Sequence, residues 1–326
     1  MPLDIGLIGA TGIAEKAVLR PSAAFDDVAV RAVAASDPVR AKEFALRNGI
    51  DRVHGSYAEL VADPDINTVY VSLHNSAHRE WVVAAAAAGK HVIVEKPLCL
   101  SAEECAEISA AAVGVQVIEA VPTIGHPWAA AVREMITDGR YGPLTGIHTE
   151  IRFGVPAAGS YRERPELGGG IFLDSASYWL QAVQATVGFD GAVGSGRSAF
   201  DGPNGVDQSF DATLSWPGQN AEPYRTAELH CEVGDKHVAN HEFTFAEAMV
   251  RIRNFLLPAA GTLPLNLVIR RANGTKTVEA FPPVGYYDLQ LARARAIVTG
   301  GGGELADAID RITLMAAIHR QAREAV

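Results

Sequence analysis

The chain has 326 residues, of which 48% are hydrophobic and 20% charged, and its formal net charge is −10. This composition is typical of a globular protein, and the length exceeds what one hydrophobic core usually supports, so we expect two domains. The negative charge argues against a nucleic-acid partner, because phosphates attract clusters of Lys and Arg. The sequence has no basic run of the kind that binds a membrane surface.

The longest apolar stretch runs from Trp81 to Ala88 and is much shorter than the ~20 residues that a membrane-spanning helix needs. The N-terminus lacks the basic start of a signal peptide. Cys99, Cys105 and Cys231 show no metal-ligand spacing, and we interpret them as small buried side chains in a reducing compartment. These features predict a cytoplasmic protein without a membrane segment.

Strand and helix patterns alternate through the first 122 residues. Near-continuous apolar runs predict strands at residues 3–8, 28–35, 69–73, 91–94 and 115–120. Helical patterns between them predict an α/β fold, a doubly wound parallel sheet of the Rossmann type. In such sheets ligands bind beyond the carboxyl ends of the strands. The residues that fall there are Gly9, Ser36, Leu73, Glu95 and Glu119.

The pattern changes after Trp128. A predicted helix at 129–138 is followed by alternating segments that predict strands at 146–153, 209–216, 227–233, 249–255 and 267–271. Asn273-Gly274 is a strong signal for a two-residue hairpin, and two predicted helices, 286–298 and 304–324, close the chain. We therefore expect an α+β domain with an open, largely antiparallel sheet, and divide the chain into residues 1–122 and 123–326.

The turn after the first strand reads Gly9-Ala10-Thr11-Gly12-Ile13-Ala14. A dinucleotide fingerprint, G-x-G-x-x-G/A, uses backbone amides and a helix N-terminus to hold a pyrophosphate. Aligned from Gly9, Thr11 replaces the middle glycine and Ala14 occupies the last position. We predict cofactor contacts at Gly9, Thr11, Gly12, Ile13 and Ala14. A tight turn without a ligand is the alternative.

The end of the second strand bears on the choice between NADP and NAD. An acidic residue there binds the ribose 2′-hydroxyl of NAD. Here Ser36 stands in that place and Arg40 follows one helical turn later, and a hydroxyl with a guanidinium suits a 2′-phosphate. Asp37 is either a helix cap or a ribose ligand. The pattern favours NADP and leaves NAD open.

Asn75 and His78 follow the third clear strand, where polar side chains are placed to contact the nicotinamide ribose. The alternative is that Asn75 or Ser76 caps the next helix. His237 and His241 are four residues apart without a third ligand, so we predict no metal site.

Two motifs carry the chemistry. Glu95-Lys96-Pro97 closes a predicted strand, and Asp174 and Tyr178 are spaced to share one face of a helix after Gly168-Gly169-Gly170. Hydride delivery to a carbonyl carbon leaves an alkoxide that a phenol can protonate. A nearby ammonium lowers the pKa of such a phenol. The alternatives without a catalytic role are a solvated lysine, a capping aspartate and a half-buried tyrosine.

The chain resembles the Gfo/Idh/MocA oxidoreductases over nearly its whole length. The resemblance rests on the glycine turn, Asn75-Ser76-x-His78, Glu95-Lys96-Pro97, Glu119-Ala120, His126-Pro127, Leu167-Gly168-Gly169-Gly170 and Asp174-x-x-x-Tyr178. The tyrosine is similar to that of a branch with dihydrodiol dehydrogenase, xylose dehydrogenase, glucose–fructose oxidoreductase and the nucleotide-sugar 3-ketoreductases. The chain departs from that branch at Thr11 and at Ile124-Gly125, which replace a small residue and an Arg–aromatic pair.

The resemblance implies a Rossmann domain, an open-sheet domain, NAD(P), a sugar, polyol or keto-sugar substrate, and homodimers or homotetramers formed through the sheet faces. By position it implies that Lys96 contacts the nicotinamide ribose and the reacting oxygen. Tyr178 would be the general acid/base and Asp174 would orient the substrate. Glu95 would brace the loop and Pro97 would fix it.

The leading hypothesis is an NADP-preferring enzyme that interconverts a secondary alcohol and a ketone on a sugar-like substrate. A cofactor-binding sensor or scaffold without turnover is the second hypothesis, motivated by the departures in the glycine turn. A C=N reductase is the third, since it uses the same hydride geometry. Residues expected near the pocket wall, or at the surface beside an interface, are Arg152, Tyr161, Arg162, Arg164 and Gln181.

Overall fold

The computed structural model describes residues 2–217 and 225–326. The chain forms two compact units. Unit 1 combines Met1–Pro122 with Tyr287–Thr313, and unit 2 combines Thr123–Tyr286 with Leu314–Val326. The expected division of the chain after residue 122 does not include this return: residues 287–313 lie in unit 1.

The strands, in chain order, are β1 (Leu3–Ile8), β2 (Val28–Ala34), β3 (Arg52–Val53), β4 (Thr68–Val71), β5 (His91–Glu95), β6 (Val117–Ala120), β7 (Leu144–Phe153), β8 (Val193–Arg197), β9 (Ser209–Trp216), β10 (Arg225–Val233), β11 (Val238–Phe245), β12 (Ala248–Ile252), β13 (Asn266–Arg271) and β14 (Lys276–Ala280). The α-helices are α1 (Gly12–Ala14), α2 (Arg20–Ser22), α3 (Pro38–Asn48), α4 (Tyr57–Ala62), α5 (His78–Ala87), α6 (Ala102–Ala111), α7 (Trp128–Asp138), α8 (Ile171–Thr186), α9 (Tyr286–Gly300) and α10 (Leu305–Glu324). Across the described ranges, the helices are too short or too polar to span a membrane.

Unit 1 contains a six-stranded sheet in the order β3-β2-β1-β4-β5-β6. All neighbouring strands are parallel, and every residue of β4 and β6 is buried, as expected when helices cover both faces. The order reverses between β1 and β4, and ligands of such folds bind at the carboxyl ends beside this switch. The predicted doubly wound α/β fold is confirmed.

The two ends of helix α3 in unit 1 are formed by the residues that their chemistry predicts. Asp37 caps α3, since its carboxylate accepts a hydrogen bond from Val39 N at 2.8 Å. Gly49 ends the same helix in the left-handed region, with φ of 65°. The helix after β1 begins at Gly12 and contains a π-helical turn, Glu15–Leu19.

Unit 2 contains an eight-stranded sheet in the order β14-β13-β12-β11-β7-β10-β9-β8. It is antiparallel except where β7 pairs with β10. Buried residues alternate with more exposed ones along β9, as in a sheet with one face toward solvent. The predicted open, largely antiparallel sheet is confirmed.

Two strands of this sheet lack a sequence signal. The strand β8 contains Gly194 and Gly196, whose Cα atoms face Ile318 so closely that a Cβ on either would approach it within 2.7 Å. Glycine therefore serves close packing here, although it hides the strand pattern. The strand β11 carries polar side chains between its aromatic ones, and His241, buried within it, donates to or accepts from Thr149 Oγ1.

Residues 287–313 pack in unit 1 because their side chains complete its core and its ion pairs. Leu291 and Ala294 of α9 belong to the core that includes β1. Arg295 donates both Nε and Nη2 to the carboxylate of Asp27, and this pairing holds the pKa of that carboxyl below its usual range. These contacts join residues about 270 positions apart, which no local pattern indicates.

Candidate active site

The turn after β1 brings the backbone against the end of β4. Gly9 has φ of +107°, and a Cβ at this position would lie 2.4 Å from the Ser72 carbonyl oxygen. Only glycine fits such a position. Gly12 is exposed with open space beside its Cα. The turn thus keeps one close-approach glycine and one glycine open to a ligand.

Thr11 is accommodated by the turn. Its Oγ1 accepts a hydrogen bond from Ala14 N at 3.2 Å, which caps α1, and lies 2.8 Å from Ser72 Oγ. The first turn of α1 carries no acidic side chain. A close-approach glycine, an open glycine and a capped helix start fit the pyrophosphate of a dinucleotide. Ile13 is half-buried and Ala14 is buried behind this turn.

The end of β2 presents a hydroxyl and a guanidinium. Arg40 Nη2 donates to Ser36 Oγ at 3.3 Å, and both residues are exposed. The carboxylate of Asp37 caps α3, so its oxygen is used by the backbone. A hydroxyl and a guanidinium at this strand end fit a 2′-phosphate.

The loop after β4 contains Leu73, Asn75 and His78. Asn75 is buried and starts a 3₁₀ turn, and the cap positions of this turn and of α5 are His74 and Ala77. Neither Asn75 nor Ser76 therefore occupies a cap position. His78 is fully buried, with Nδ1 2.7 Å from Pro97 O and Nε2 3.2 Å from Leu73 O.

His78 thus connects two loops rather than offering a surface to a cofactor. Burial lowers the pKa of His78 to about 4, so the ring is neutral and donates one hydrogen bond. The shorter contact assigns that donation to the Pro97 carbonyl oxygen. The contacts give His78 a bracing role between these loops, and its predicted cofactor contact stays a prediction.

The loop that carries Lys96 is braced at both ends. Glu95 accepts a hydrogen bond from the Tyr70 hydroxyl at 2.5 Å, and burial raises the pKa of Glu95 to about 7. The Lys96–Pro97 peptide is cis. Leu98 N donates to Glu119 Oε1 at 3.2 Å. These contacts position Lys96 at the carboxyl end of β5.

Glu119 is a second predicted cofactor ligand that braces the fold. It is 2% exposed, and its Oε2 accepts hydrogen bonds from Arg311 Nε at 3.1 Å and Nη2 at 2.7 Å. Its other oxygen accepts from Leu98 N. Both carboxylate oxygens therefore serve the protein interior. The sequence contains no signal for this pair, because its members are 192 residues apart.

In unit 2 the three glycines before α8 have separate structural reasons. Gly168 ends a 3₁₀ turn in the left-handed region, with φ of 75°. A Cβ on Gly169 would lie 2.6 Å from Tyr161 O. Gly170 has φ of 113°, and a Cβ there would lie 2.1 Å from Asp207 Oδ1. The glycine run therefore packs the segment before α8 against two other parts of unit 2.

Asp207 caps α8 from another segment of the chain. It is buried, and its Oδ2 accepts from Phe172 N at 2.7 Å while its backbone oxygen accepts from Ile171 N at 3.1 Å. Sequence reasoning missed this residue. The unusual demand for glycine at position 170 is the signal that an external group approaches there.

Asp174 and Tyr178 lie one turn apart on α8. Asp174 is 8% exposed and Tyr178 9%, on a helix of which nearly every residue is buried. Asp174 Oδ2 accepts from Arg162 Nε at 2.9 Å. Although burial opposes it, the negative charge of Asp174 raises the pKa of Arg162. The structure thus groups a carboxylate, a phenol and a guanidinium within unit 2.

Aromatic rings surround Tyr178. Its ring meets Phe153 edge-on at 6.4 Å and Phe255 at 6.3 Å between centroids. One turn further along α8, Gln181 accepts a hydrogen bond from Thr123 Oγ1 at 2.8 Å. These contacts hold the phenol in a largely apolar environment, where a proton-transfer group is shielded from water.

The remaining predicted pocket residues differ in their partners. Arg152 Nε donates to Glu232 on the neighbouring strand, and Arg164 Nε donates to Glu166 at 3.0 Å. Tyr161 lies beneath the guanidinium of Arg162, whose central carbon is 4.8 Å from its ring centroid. His237 stacks on Phe153. The described residues contain no group of three or more His, Cys, Asp or Glu side chains that could hold a metal ion.

The predicted residues therefore form two groups. The first lies at the carboxyl ends of the unit 1 strands and contains Gly9, Thr11, Gly12, Ser36, Arg40, Leu73, Asn75, Glu95, Lys96 and Pro97. The second lies in unit 2 and contains Asp174 and Tyr178. The first group fits a dinucleotide, and the second fits a proton-transfer site.

Comparisons with known proteins find family matches in both parts of the chain. The model of the Gfo/Idh/MocA oxidoreductase family with an NAD-binding Rossmann fold matches residues 3–122. The C-terminal domain model of the same family matches residues 129–236. A 1,5-anhydro-D-fructose reductase from Ensifer adhaerens is 31% identical, over 95% of this chain and 92% of that protein.

Two further relatives are a 3-reductase and a 3-ketoreductase by name. The dTDP-3,4-didehydro-2,6-dideoxy-alpha-D-glucose 3-reductase of Streptomyces antibioticus is 34% identical, over 58% of each chain. The crystal structure of KijD10, a 3-ketoreductase from Actinomadura kijaniata in complex with NADP and TDP-benzene, is 26% identical. It covers 98% of each chain with a TM-score of 0.87. The chain belongs to the Gfo/Idh/MocA oxidoreductase family and is an NAD(P)-dependent oxidoreductase.

Proposed function

We propose that the protein interconverts a secondary alcohol and a ketone on a sugar or sugar-like substrate and prefers NADP(H). The observation that carries the proposal is the pair of Asp174 and Tyr178 on one face of the buried helix α8. A phenol beside a charge pair in an apolar environment is suited to move a proton to or from a substrate oxygen.

The cofactor, when bound, supplies or accepts the hydride. Gly9, Gly12 and the start of α1 would hold its pyrophosphate, and Ser36 with Arg40 its 2′-phosphate. In the direction of reduction Tyr178 gives its hydroxyl proton to the substrate oxygen. Lys96 would stabilise the resulting phenolate and the reacting oxygen with its ammonium group.

The substrate class rests on the relatives. The 1,5-anhydro-D-fructose reductase and the dTDP-sugar 3-reductase are both named for the reduction of a sugar ketone. A polyol or keto-sugar is therefore the substrate class to test first. We further propose assembly into dimers or tetramers through the open face of the unit 2 sheet, which sedimentation velocity would measure.

The test compares variants in a turnover screen of keto-sugars with NADPH and of polyols with NADP⁺. We expect Tyr178→Phe to lower kcat by about 10²-fold or more, because the proton donor is lost. Lys96→Ala should lower kcat strongly as well. Cofactor binding, measured by NADPH fluorescence, should survive in Tyr178→Phe.

The matched controls are Tyr141→Phe, another buried tyrosine of unit 2, and Lys236→Ala, an exposed lysine. Both should retain wild-type kcat. Wild-type turnover in Tyr178→Phe would contradict the role of the phenol. Tight NADPH binding without turnover of any ketone would favour a sensor, and faster turnover of imines would favour a C=N reductase.

A further inference from the structure

The surroundings of Asp174 point to a role for Arg162. We infer that the terminal amino groups of Arg162 bind neighbouring oxygen atoms of a neutral, hydroxylated substrate beside the carbon that reacts. The inference rests on the proposed function and deepens it by naming the residue that selects the substrate.

The backbone of Arg162 is tied to the start of α8. Its carbonyl oxygen accepts a hydrogen bond from Gly170 N at 3.0 Å. The same oxygen would lie 2.7 Å from a Cβ at Gly169, so glycine is needed for this approach. Ser160 caps the short 3₁₀ turn that contains Arg162. The location of Arg162 relative to Asp174 is therefore set by backbone contacts.

Two contacts orient the guanidinium. Nε donates to Asp174 Oδ2 at 2.9 Å, and the Tyr161 ring lies against the guanidinium with 4.8 Å between the central carbon and the ring centroid. A planar group held at one nitrogen and on one face loses little further freedom when it binds a ligand. Arg162 is preorganised for recognition.

The terminal amino groups remain available for a ligand. The Arg162 side chain is 43% exposed. Among the residues that the structure describes, its side chain makes one hydrogen bond, the one from Nε to Asp174. Nη1 and Nη2 therefore offer four N–H groups in a rigid plane, which suits two oxygen atoms on adjacent carbons.

The neighbouring charges favour a neutral substrate. Asp174 already balances the charge of Arg162 at 2.9 Å, and Glu166 balances Arg164 at 3.0 Å. Glu163, next to Arg162 in the chain, adds a further negative charge. A sugar phosphate would meet no net positive charge among these groups, whereas hydroxyl and carbonyl oxygens need only the N–H donors. The substrate class is an α-hydroxy ketone or the corresponding vicinal diol.

Asp174 also sets where these oxygens bind. It lies one helical turn from Tyr178 on the same face of α8. An arginine anchored on Asp174 therefore acts beside the phenol that serves the reacting oxygen. The second substrate oxygen would be the hydroxyl on the adjacent carbon.

The experiment uses Arg162→Gln, Arg162→Lys and the control Arg140→Gln. Arg140 lies outside the predicted pocket residues, its side chain is 39% exposed, and its Nε also donates to a carboxylate, that of Asp138. The probes are 1,5-anhydro-D-fructose, any ketone found in the turnover screen, and their analogues without the hydroxyl next to the carbonyl. We expect Arg162→Gln to raise KM about tenfold while kcat changes less. Arg162→Lys should restore part of the affinity, and Arg140→Gln should resemble the wild type.

The deoxy analogues give the sharper result. The wild type should discriminate against them, and Arg162→Gln should lose that discrimination, because the site no longer contains the donor that the hydroxyl satisfies. Unchanged KM and unchanged discrimination in Arg162→Gln would overturn the inference. Melting temperatures equal to that of the wild type would show that the loss of discrimination does not come from unfolding of the variants.

Calorimetric binding separates this inference from the proposed function. If the wild type binds the neutral sugars without turning them over, and Arg162→Gln abolishes that binding, the inference stands and the proposed function fails. If the wild type binds none of them, the inference fails as well. Preference for sugar phosphates over neutral sugars, lost in Arg162→Gln, would overturn the assignment of a neutral substrate.

Discussion

The proposed preference for NADP over NAD concerns single residues at the end of β2. Arg40 and Ser36 form an exposed pair, and the carboxylate of Asp37 is used as a helix cap. The 2′-phosphate of NADP would therefore meet two donors at this strand end, where one carboxylate oxygen of Asp37 is already used by the helix. The preference rests on two side chains that cofactor titration can address directly.

We expect Arg40→Ala to weaken NADPH binding about tenfold or more and to leave NADH binding nearly unchanged, because only NADPH carries the lost phosphate contact. Fluorescence titration with each cofactor measures both affinities. Arg47→Ala, at the other end of the same helix α3, is the control and should retain the wild-type ratio. Equal weakening for NADPH and NADH in Arg40→Ala would argue against the phosphate contact.

A second prediction at this scale concerns Gly170. Its φ of 113° and ψ of 155° belong to a region that only glycine populates readily, and a Cβ would meet Asp207 Oδ1 at 2.1 Å. We expect Gly170→Ala to reduce the free energy of unfolding by about 3 kcal/mol or more. Urea denaturation measures it.

Gly139→Ala is the control for Gly170→Ala. Gly139 has φ of 66° and open space beside its Cα, so the substitution introduces strain without a clash and costs about 1 kcal/mol. A Gly170→Ala variant no less stable than Gly139→Ala would show that the approach of Asp207 is not needed to hold this segment.

At the scale of elements, helix α8 combines a buried surface with a cap from another segment. Its cap, Asp207, accepts a hydrogen bond from Phe172 N, and burial raises the pKa of Asp207 to about 6. The ordinary value is 3.8. The folded protein therefore binds this proton more tightly than the unfolded chain. The stability from this group is present below about pH 4 and is lost as the pH rises through about 6.

We expect Asp207→Asn, which cannot ionise, to gain stability relative to the wild type as the pH rises from about 4 to 7. The gain approaches about 3 kcal/mol, which corresponds to a pKa change from 3.8 to about 6. Urea denaturation of both proteins across this range measures the difference. An Asp207→Asn variant whose stability relative to the wild type is the same at pH 4 and at pH 7 would show that burial of this charge has no effect.

At the scale of the whole molecule, the chain returns to unit 1 near its end. Residues 287–313 complete unit 1, and the ion pair of Arg311 with Glu119 is buried on both sides, with 4% and 2% exposure. Glu119 in turn holds Leu98 N, next to the loop of Lys96. The C-terminal segment therefore supports the cofactor end of the sheet.

We expect Arg311→Met to lower the free energy of unfolding by about 3–5 kcal/mol, because it leaves the carboxylate of Glu119 buried without its cation. The double variant Glu119→Gln, Arg311→Met should be more stable than the sum of the two single effects predicts. Urea denaturation of the four proteins completes the cycle. Additive effects would mean that the two charges do not depend on each other.

Much of unit 1 follows from local patterns. Strand and helix alternation, the cap at Asp37 and the stop at Gly49 were all readable, because each depends on neighbours within a few residues. The placing of Asp174 and Tyr178 on one helix face followed from their spacing. The two glycine-rich or polar strands β8 and β11 were not readable, since their packing replaces the usual apolar alternation.

The sequence by itself determined the two fold types and the residues that carry the proposed chemistry, because periodicity and short motifs encode local structure. The tertiary structure decided which polar residues brace the fold. His78 and Glu119 do so, because their side-chain nitrogen and oxygen atoms form hydrogen bonds with buried partners. It also paired Arg162 with Asp174 and Asp207 with α8. A buried charge or carbonyl needs a partner, but nothing in the chain order says where that partner lies, so only folding selects it.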